Sequence, residues 1–107
     1  MVVGVCRLNL FFPASGSLKT KRQGVRRIVD RLRAKYNVAV AEVGGSDTWQ
    51  RASLGMSVVS NSAPHAQEML DELVTFVEEL YVAQILDRQS EVLHFDEEHA
   101  PPGGWDA

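Results

Sequence analysis

Residues 38–60, VAVAEVGGSDTWQRASLGMSVVS, decide how this chain folds. The run 38–43 is short, β-branched and alanine-containing, and reads as a strand. Gly44-Gly45-Ser46-Asp47 supplies the turn. From Trp49 to Ser60 the residues Ala52, Leu54, Met56 and Val58 alternate with Arg51, Ser53, Gly55 and Ser57. That period of two belongs to a strand with one face in the core and the other polar or lightly covered. The segment is a β-hairpin, and its neighbours settle what the hairpin is part of.

Upstream, 2–12 reads as another strand, with Val2, Gly4, Cys6, Leu8, Leu10 and Phe12 on one face and Arg7 and Asn9 on the other. Pro13 stops it, and Ser17 is placed to cap a helix running to about Tyr36. Leu18, Val25, Ile28, Val29, Leu32 and Tyr36 recur at helical spacing as its buried stripe. Gly24 weakens the middle of this helix by up to about 1 kcal/mol relative to Ala, which suggests that something packs closely there. Downstream, Asn61-Ser62-Ala63-Pro64 opens a second helix, with Pro64 in the first turn, where its missing N–H costs nothing. Met69, Leu70, Leu73, Val77 and Leu80 form its apolar stripe, and 84–95 holds a fourth strand with poor alternation.

The order β-α-β-β-α-β, with each helix amphipathic on one side, predicts an α+β, ferredoxin-like sandwich. Its four-stranded antiparallel sheet carries two helices on one face, and right-handed crossovers put the first and third strands in the centre. Residues 1–95 are expected to form one domain, and 96–107, acidic and rich in Pro and Gly, a disordered tail. The uncovered face would carry Val3, Val5, Arg7, Asn9 and Phe11 from the first strand and Arg51, Ser53 and Ser57 from the third. Such a mixed surface suits a ligand or a second copy of the chain, so a homodimer is expected.

The composition is that of an ordinary globule: 107 residues, 45% apolar, 23% charged and a formal charge of −3. A uniformly basic nucleic-acid-binding chain is excluded, but a local basic face is not. The one cysteine, Cys6, lies in an apolar run and reads as a small buried hydrophobe in a reducing compartment. No apolar run approaches the roughly 20 residues of a membrane span, and the N-terminus lacks the features of a secretory leader. A cytoplasmic protein with no membrane partner is expected.

The charge is unevenly placed. Lys19, Lys21, Arg22, Arg26, Arg27, Arg31, Arg33 and Lys35, eight of the eleven bases, fall on the first helix, opposed there only by Asp30. From His65 onward there are eleven acids and one base, Arg88. A basic helix concentrates phosphates, and cations in its first turn are disfavoured by the helix dipole unless a counter-charge relieves them. Lys19, Lys21, Arg22, Arg26 and Arg33 are therefore the candidate anion or nucleic-acid contacts. The competing account has the basic first helix facing the acidic second one, which needs no ligand. Single strands stacking on the open sheet face, with Phe11, Trp49, Arg7 and Arg51, lack the consensus two-aromatic platform, and an Arg7–Glu42–Arg51 surface network is the simpler account of those charges.

Ser17-Leu18-Lys19-Thr20-Lys21-Arg22, the strand 37–43, Trp49-Gln50-Arg51-Ala52 followed by Leu54-Gly55, and Val59-Ser60-Asn61 together resemble the YlxP-like family of small bacterial proteins of unknown function. The resemblance implies a ferredoxin-like fold in a bacterial cytosolic protein, with no activity, cofactor or catalytic residue to carry over. Members often stand near transcription and translation genes, which implies an association with RNA or the ribosome.

No catalytic residue, metal site or cofactor is assigned. His65, His94 and His99 are dispersed without metal-ligand spacing. Ser15-Gly16-Ser17 could hold an acyl phosphate only if Arg22 and Asn9 or Asn61 joined it. The reading is a non-enzymatic RNA- or ribonucleoprotein-associated module working through the first helix. The alternatives are an adaptor for an acidic protein or a purely structural homodimer, and then a small hydrolase of phosphorylated metabolites.

Overall fold

The computed structural model describes residues 1–45 and 48–96. Turn residues 46–47 and most of the expected tail, 97–107, lie outside it. Six elements follow in order: β1 (Val2–Phe11), α1 (Leu18–Lys35), β2 (Ala39–Gly44), β3 (Arg51–Ser60), α2 (Ala63–Glu79) and β4 (Gln84–His94). The sheet order is β2-β3-β1-β4, every pair antiparallel, with β1 and β3 central. This is the ferredoxin-like α+β arrangement.

The register explains which face is covered. Gly4 pairs with Val58, Cys6 with Met56, Leu8 with Leu54 and Leu10 with Ala52, so the even residues of both central strands project together beneath the helices. Leu8, Leu10, Leu54, Ile28, Leu32, Leu70, Leu73 and Val77 are fully buried there. α1 lies along the β2 side, and α2 covers β1 and β3 and reaches β4.

The first helix begins at the expected Ser17 cap, and the second, opened by the expected Asn61–Pro64 run, takes Ser62 as its cap. Ser17 Oγ accepts the Thr20 N–H at 3.1 Å, and Ser62 Oγ accepts the His65 N–H at 3.4 Å. Each satisfies one of the free N–H groups that a helix start leaves over. The close neighbour implied by Gly24 is Phe12: a Cβ at that position would sit 2.9 Å from the ring.

Two features of the outer strands depart from simple alternation. The β2–β3 register shifts between Glu42 and Gly44, and the β1–β4 register shifts between Asn9 and Leu10. A bulge sets two residues against one and re-aims a side chain. Here the residues at the shifts are Val43 and Leu86, both large hydrophobics left exposed. Val43 lies over Gly55, and Leu86 lines a cleft with Asn9 and Ser53, so both add to the open face.

Cys6 is buried, as expected for a small hydrophobe. Burial pushes its thiol above the ordinary range, and the charge and hydrogen bond of Arg88 partly oppose this. A thiol held protonated in this way is a poor nucleophile. No helix among the described residues is long and apolar enough to cross a membrane.

Candidate functional site

The five candidate bases of α1 do not form one surface. At 100° per residue, Lys19, Arg22, Arg26 and Arg33 share about 60° of arc on the flank beside the buried stripe. All four are exposed. Arg33 Nη2 donates to the Val40 carbonyl at 2.8 Å, which identifies this flank as the β2 side. Arg27, Arg31 and Lys35 lie on the other flank, where Lys35 Nζ stands 5.0 Å from the Phe76 ring centre of α2.

Lys21 leaves this group. It is completely buried, its Nζ donating to the Gly45 carbonyl at 2.6 Å and facing Glu42 Oε2 at 3.5 Å. The residue expected to meet phosphate instead ties α1 to the β2–β3 hairpin. The spacing held the signal: 18, 21, 25, 28 and 32 advance by alternating threes and fours, so Lys21 occupies a slot of the buried stripe. A buried ammonium must be paired, and Glu42 and the Gly45 carbonyl do this. Glu42 Oε2, itself shielded from solvent, has no hydrogen-bond partner among the described residues, so Lys21 is its compensating charge.

The simpler accounts of the surface charge meet the same test. Among the described residues the ion pairs are Lys21–Glu42, Arg88–Asp71 at 2.5 Å and a marginal His65–Glu68 contact at 4.0 Å. None joins α1 to α2. Asp71 of α2 turns to β4 instead, and hydrogen bonds from Arg88 and then Gln67 hold its carboxyl below the usual range. The Arg7–Glu42–Arg51 network does not form, because Glu42 projects under the helices toward Lys21.

On the open face a polar chain crosses three strands. Arg7 Nη2 donates to Ser53 Oγ at 3.3 Å, Ser53 Oγ donates to Asn9 Oδ1 at 2.7 Å, and Asn9 Nδ2 donates to Asp87 Oδ2 at 3.2 Å. Beside it lies a broad depression of ≈ 1020 Å³ with Val5, Ala39, Ala41, Val43 and Gly55 among its apolar lining and Arg7 and Glu91 among its charges. Val3 and Val5 are half-buried and Val59 is exposed. At the other end of the face, Phe11 and Arg51 pair in register and share a cleft with Trp49.

The elements of an acyl-phosphate site are not brought together. Ser15 Oγ donates to the Ser17 carbonyl at 2.9 Å, and Ser17 Oγ is taken by Thr20. Asn9 lies on the face opposite the helices, and Asn61 follows the end of β3 that pairs with Val2, far from the helix start carrying Arg22. Among the described residues no three His, Cys, Asp or Glu side chains gather as a metal site. His99 lies outside the described residues.

Fold and surface together define a small ferredoxin-like α+β domain with a basic helix flank and an uncovered, mixed sheet face. The chain belongs to the family described as "Protein of unknown function (DUF503)", which matches residues 3–90. It is 35% identical over 77 residues to the "Uncharacterized protein YlxP" of Bacillus subtilis (strain 168), covering 72% of this chain and 84% of that relative. Among solved structures it is similar to the C-terminal domain of a cyclometallase involved in the synthesis of the NPN cofactor of lactate racemase, with a TM-score of 0.44 and 13% identity. A REP-associated tyrosine transposase bound to a REP hairpin follows at 0.43 and 10%. The matches cover 87% and 91% of this chain but only 55% and 59% of those longer ones. Neither likeness is close enough to bear on what this chain binds.

Proposed function

We propose that the protein is a non-enzymatic binding module that meets RNA, or a ribonucleoprotein, through the β2-side flank of α1. One observation carries the reading: Lys19, Arg22, Arg26 and Arg33 are exposed and have no acidic partner among the described residues, while the one buried base of the helix does. Four cations on one helix flank, with Asp30 the one acid of α1 beside them and in no ion pair among the described residues, match the spaced charges of a phosphate backbone. Arg22 and Arg26 are one turn apart and supply the centre of the contact.

The test is a salt titration. Four phosphate contacts predict a slope of roughly −3 in log affinity against log salt for single-stranded RNA. Arg22→Glu with Arg26→Glu should abolish binding at moderate salt, and the far-UV circular dichroism should not change. A double mutant that binds as tightly as the parent defeats the reading. An adaptor for an acidic protein would show no RNA affinity at low salt.

Self-association across the open face is the companion proposal, supported by the exposed Val43 and Val59 beside the central depression. A dimer would run at twice the 11.9 kDa chain mass, and Val43→Lys should return it to monomer. A monomeric mass at high micromolar concentration rejects it.

A further inference from the structure

The end of the open face formed by the close of β1 and the start of β3 holds a second arrangement that the basic helix does not use. Phe11, Thr48, Trp49, Gln50 and Arg51 line a cleft of ≈ 460 Å³ there. An adjoining cleft of ≈ 390 Å³ shares Thr48 and Arg51 with it and adds Asn9, Ser53, Leu86 and Asp87. Trp49 is 60% exposed, which is uncommon for an indole that has no partner surface to cover. It is not on a loose loop: the Phe12 N–H donates to the Gln50 carbonyl at 2.7 Å, extending the β1–β3 ladder up to the tryptophan.

The same corner is bound to α1. The Thr48 N–H donates to the Gly45 carbonyl at 3.1 Å, and that carbonyl also receives Lys21 Nζ. Gly45 takes φ 76°, where a Cβ would lie 2.9 Å from the Arg51 carbonyl oxygen, so the turn admits no larger residue. Lys21 therefore sets the hairpin that carries Trp49 against the helix start that carries Lys19 and Arg22.

We propose that the Phe11–Trp49–Arg51 cleft takes an unstacked base of single-stranded RNA. The base stacks on the indole, with Phe11 as the apolar wall and Arg51 beside it for phosphate or ring face. Asn9 and Asp87 line the second cleft, and each keeps hydrogen-bonding capacity after the polar chain is made: a second amide hydrogen and a second carboxylate oxygen. Those groups can meet a base edge. Lys19 and Arg22, exposed at the start of α1, take phosphates of the same strand. This inference rests on the RNA reading above and adds single-strand selectivity and a base-contacting residue to it.

The experiment uses the full chain with Trp105→Phe, so that Trp49 is the one indole reporting. Three probes are titrated at low salt: a mixed-sequence single-stranded RNA 12-mer, the same RNA as a duplex, and an abasic 12-mer of equal charge. The single strand should quench Trp49 and bind at least about tenfold tighter than the abasic probe. Anisotropy of a labelled 12-mer should show Trp49→Ala weakening binding about tenfold and Trp49→Phe restoring most of it. If all three probes bind alike, with Arg22/Arg26 dependence and no response at Trp49, the cleft is overturned and the basic flank stands. If none binds, both readings fall.

Discussion

The two helices lie on the same sheet face, are each opened by an extended serine cap, and carry opposite charge, yet they settle that charge in different places. α2 turns Asp71 outward to Arg88 on the edge strand β4. α1 sends Lys21 inward to Glu42 on the other edge strand and leaves its arginines in solvent. Where the helices meet, the contact is apolar and aromatic: Tyr36 and Phe76 stand edge to face with centroids 5.3 Å apart, and Lys35 lies over Phe76. Glu72 and Glu79, a turn either side of Phe76, form no ion pair among the described residues. Opposite charge in neighbouring elements does not by itself make pairs. The stripe that packs decides which flank each charge occupies, and exposed ions gain too little from pairing to override it.

The comparison predicts that α1 depends on its charge for stability far more than α2 does. The largest effect belongs to Lys21→Met, which keeps the aliphatic bulk but leaves Glu42 without its compensating charge and the Gly45 carbonyl with the Thr48 N–H alone. Breaking a buried pair in this way should cost about 3 kcal/mol, at the low end for such pairs because Glu42 keeps a quarter of its side-chain exposure. Urea unfolding measures it, and adding Glu42→Leu should recover most of the loss. If the double mutant is no better than Lys21→Met, the pair is not the reason for the burial.

Gly24→Ala ranks next. Helix propensity favours alanine by about 1 kcal/mol, but the new methyl meets a ring that is itself buried, and overpacking costs about 1–3 kcal/mol. A net loss of about 1 kcal/mol is expected, while Gly16→Ala, with nothing within 4 Å, should be near neutral. Equal midpoints in denaturant would show that Phe12 gives way.

On α2 the expected effect is smaller and depends on pH. Asp71 titrates below the usual carboxylate range because Arg88 hydrogen-bonds its charged form. A carboxyl whose folded pKa is depressed contributes stability above its unfolded pKa and loses it as pH falls through the folded one. The difference between the parent and Asp71→Asn should therefore be present at neutral pH and disappear as pH drops from about 4. A difference that grows in acid would reverse the assignment.

Most of the fold was legible because it rests on local rules. Period-two runs marked the central strands, Ser17 and the Asn61–Pro64 run marked the helix starts, and Gly24 marked a close approach whose partner, Phe12, the structure supplied. The site was less legible for a physical reason at each point. Lys21 was read by its charge when its spacing placed it in the stripe. The exposure of Val43 and Leu86 follows from register shifts against partner strands, which no window along the chain contains. Phe11 and Arg51 are 40 positions apart, and only the antiparallel register sets them opposite each other beside Trp49.

The amino-acid sequence by itself determined the order of elements, the faces that are buried and the concentration of cations on one helix. These depend on periodicity, capping and composition, which act over a few residues. Tertiary structure alone decided which of those cations is removed from solvent, where the acids of α2 turn, and which side chains the bare sheet face presents together. Each of those outcomes is fixed by the register and layering of segments distant in sequence, and by the cost of leaving a charge buried without its partner.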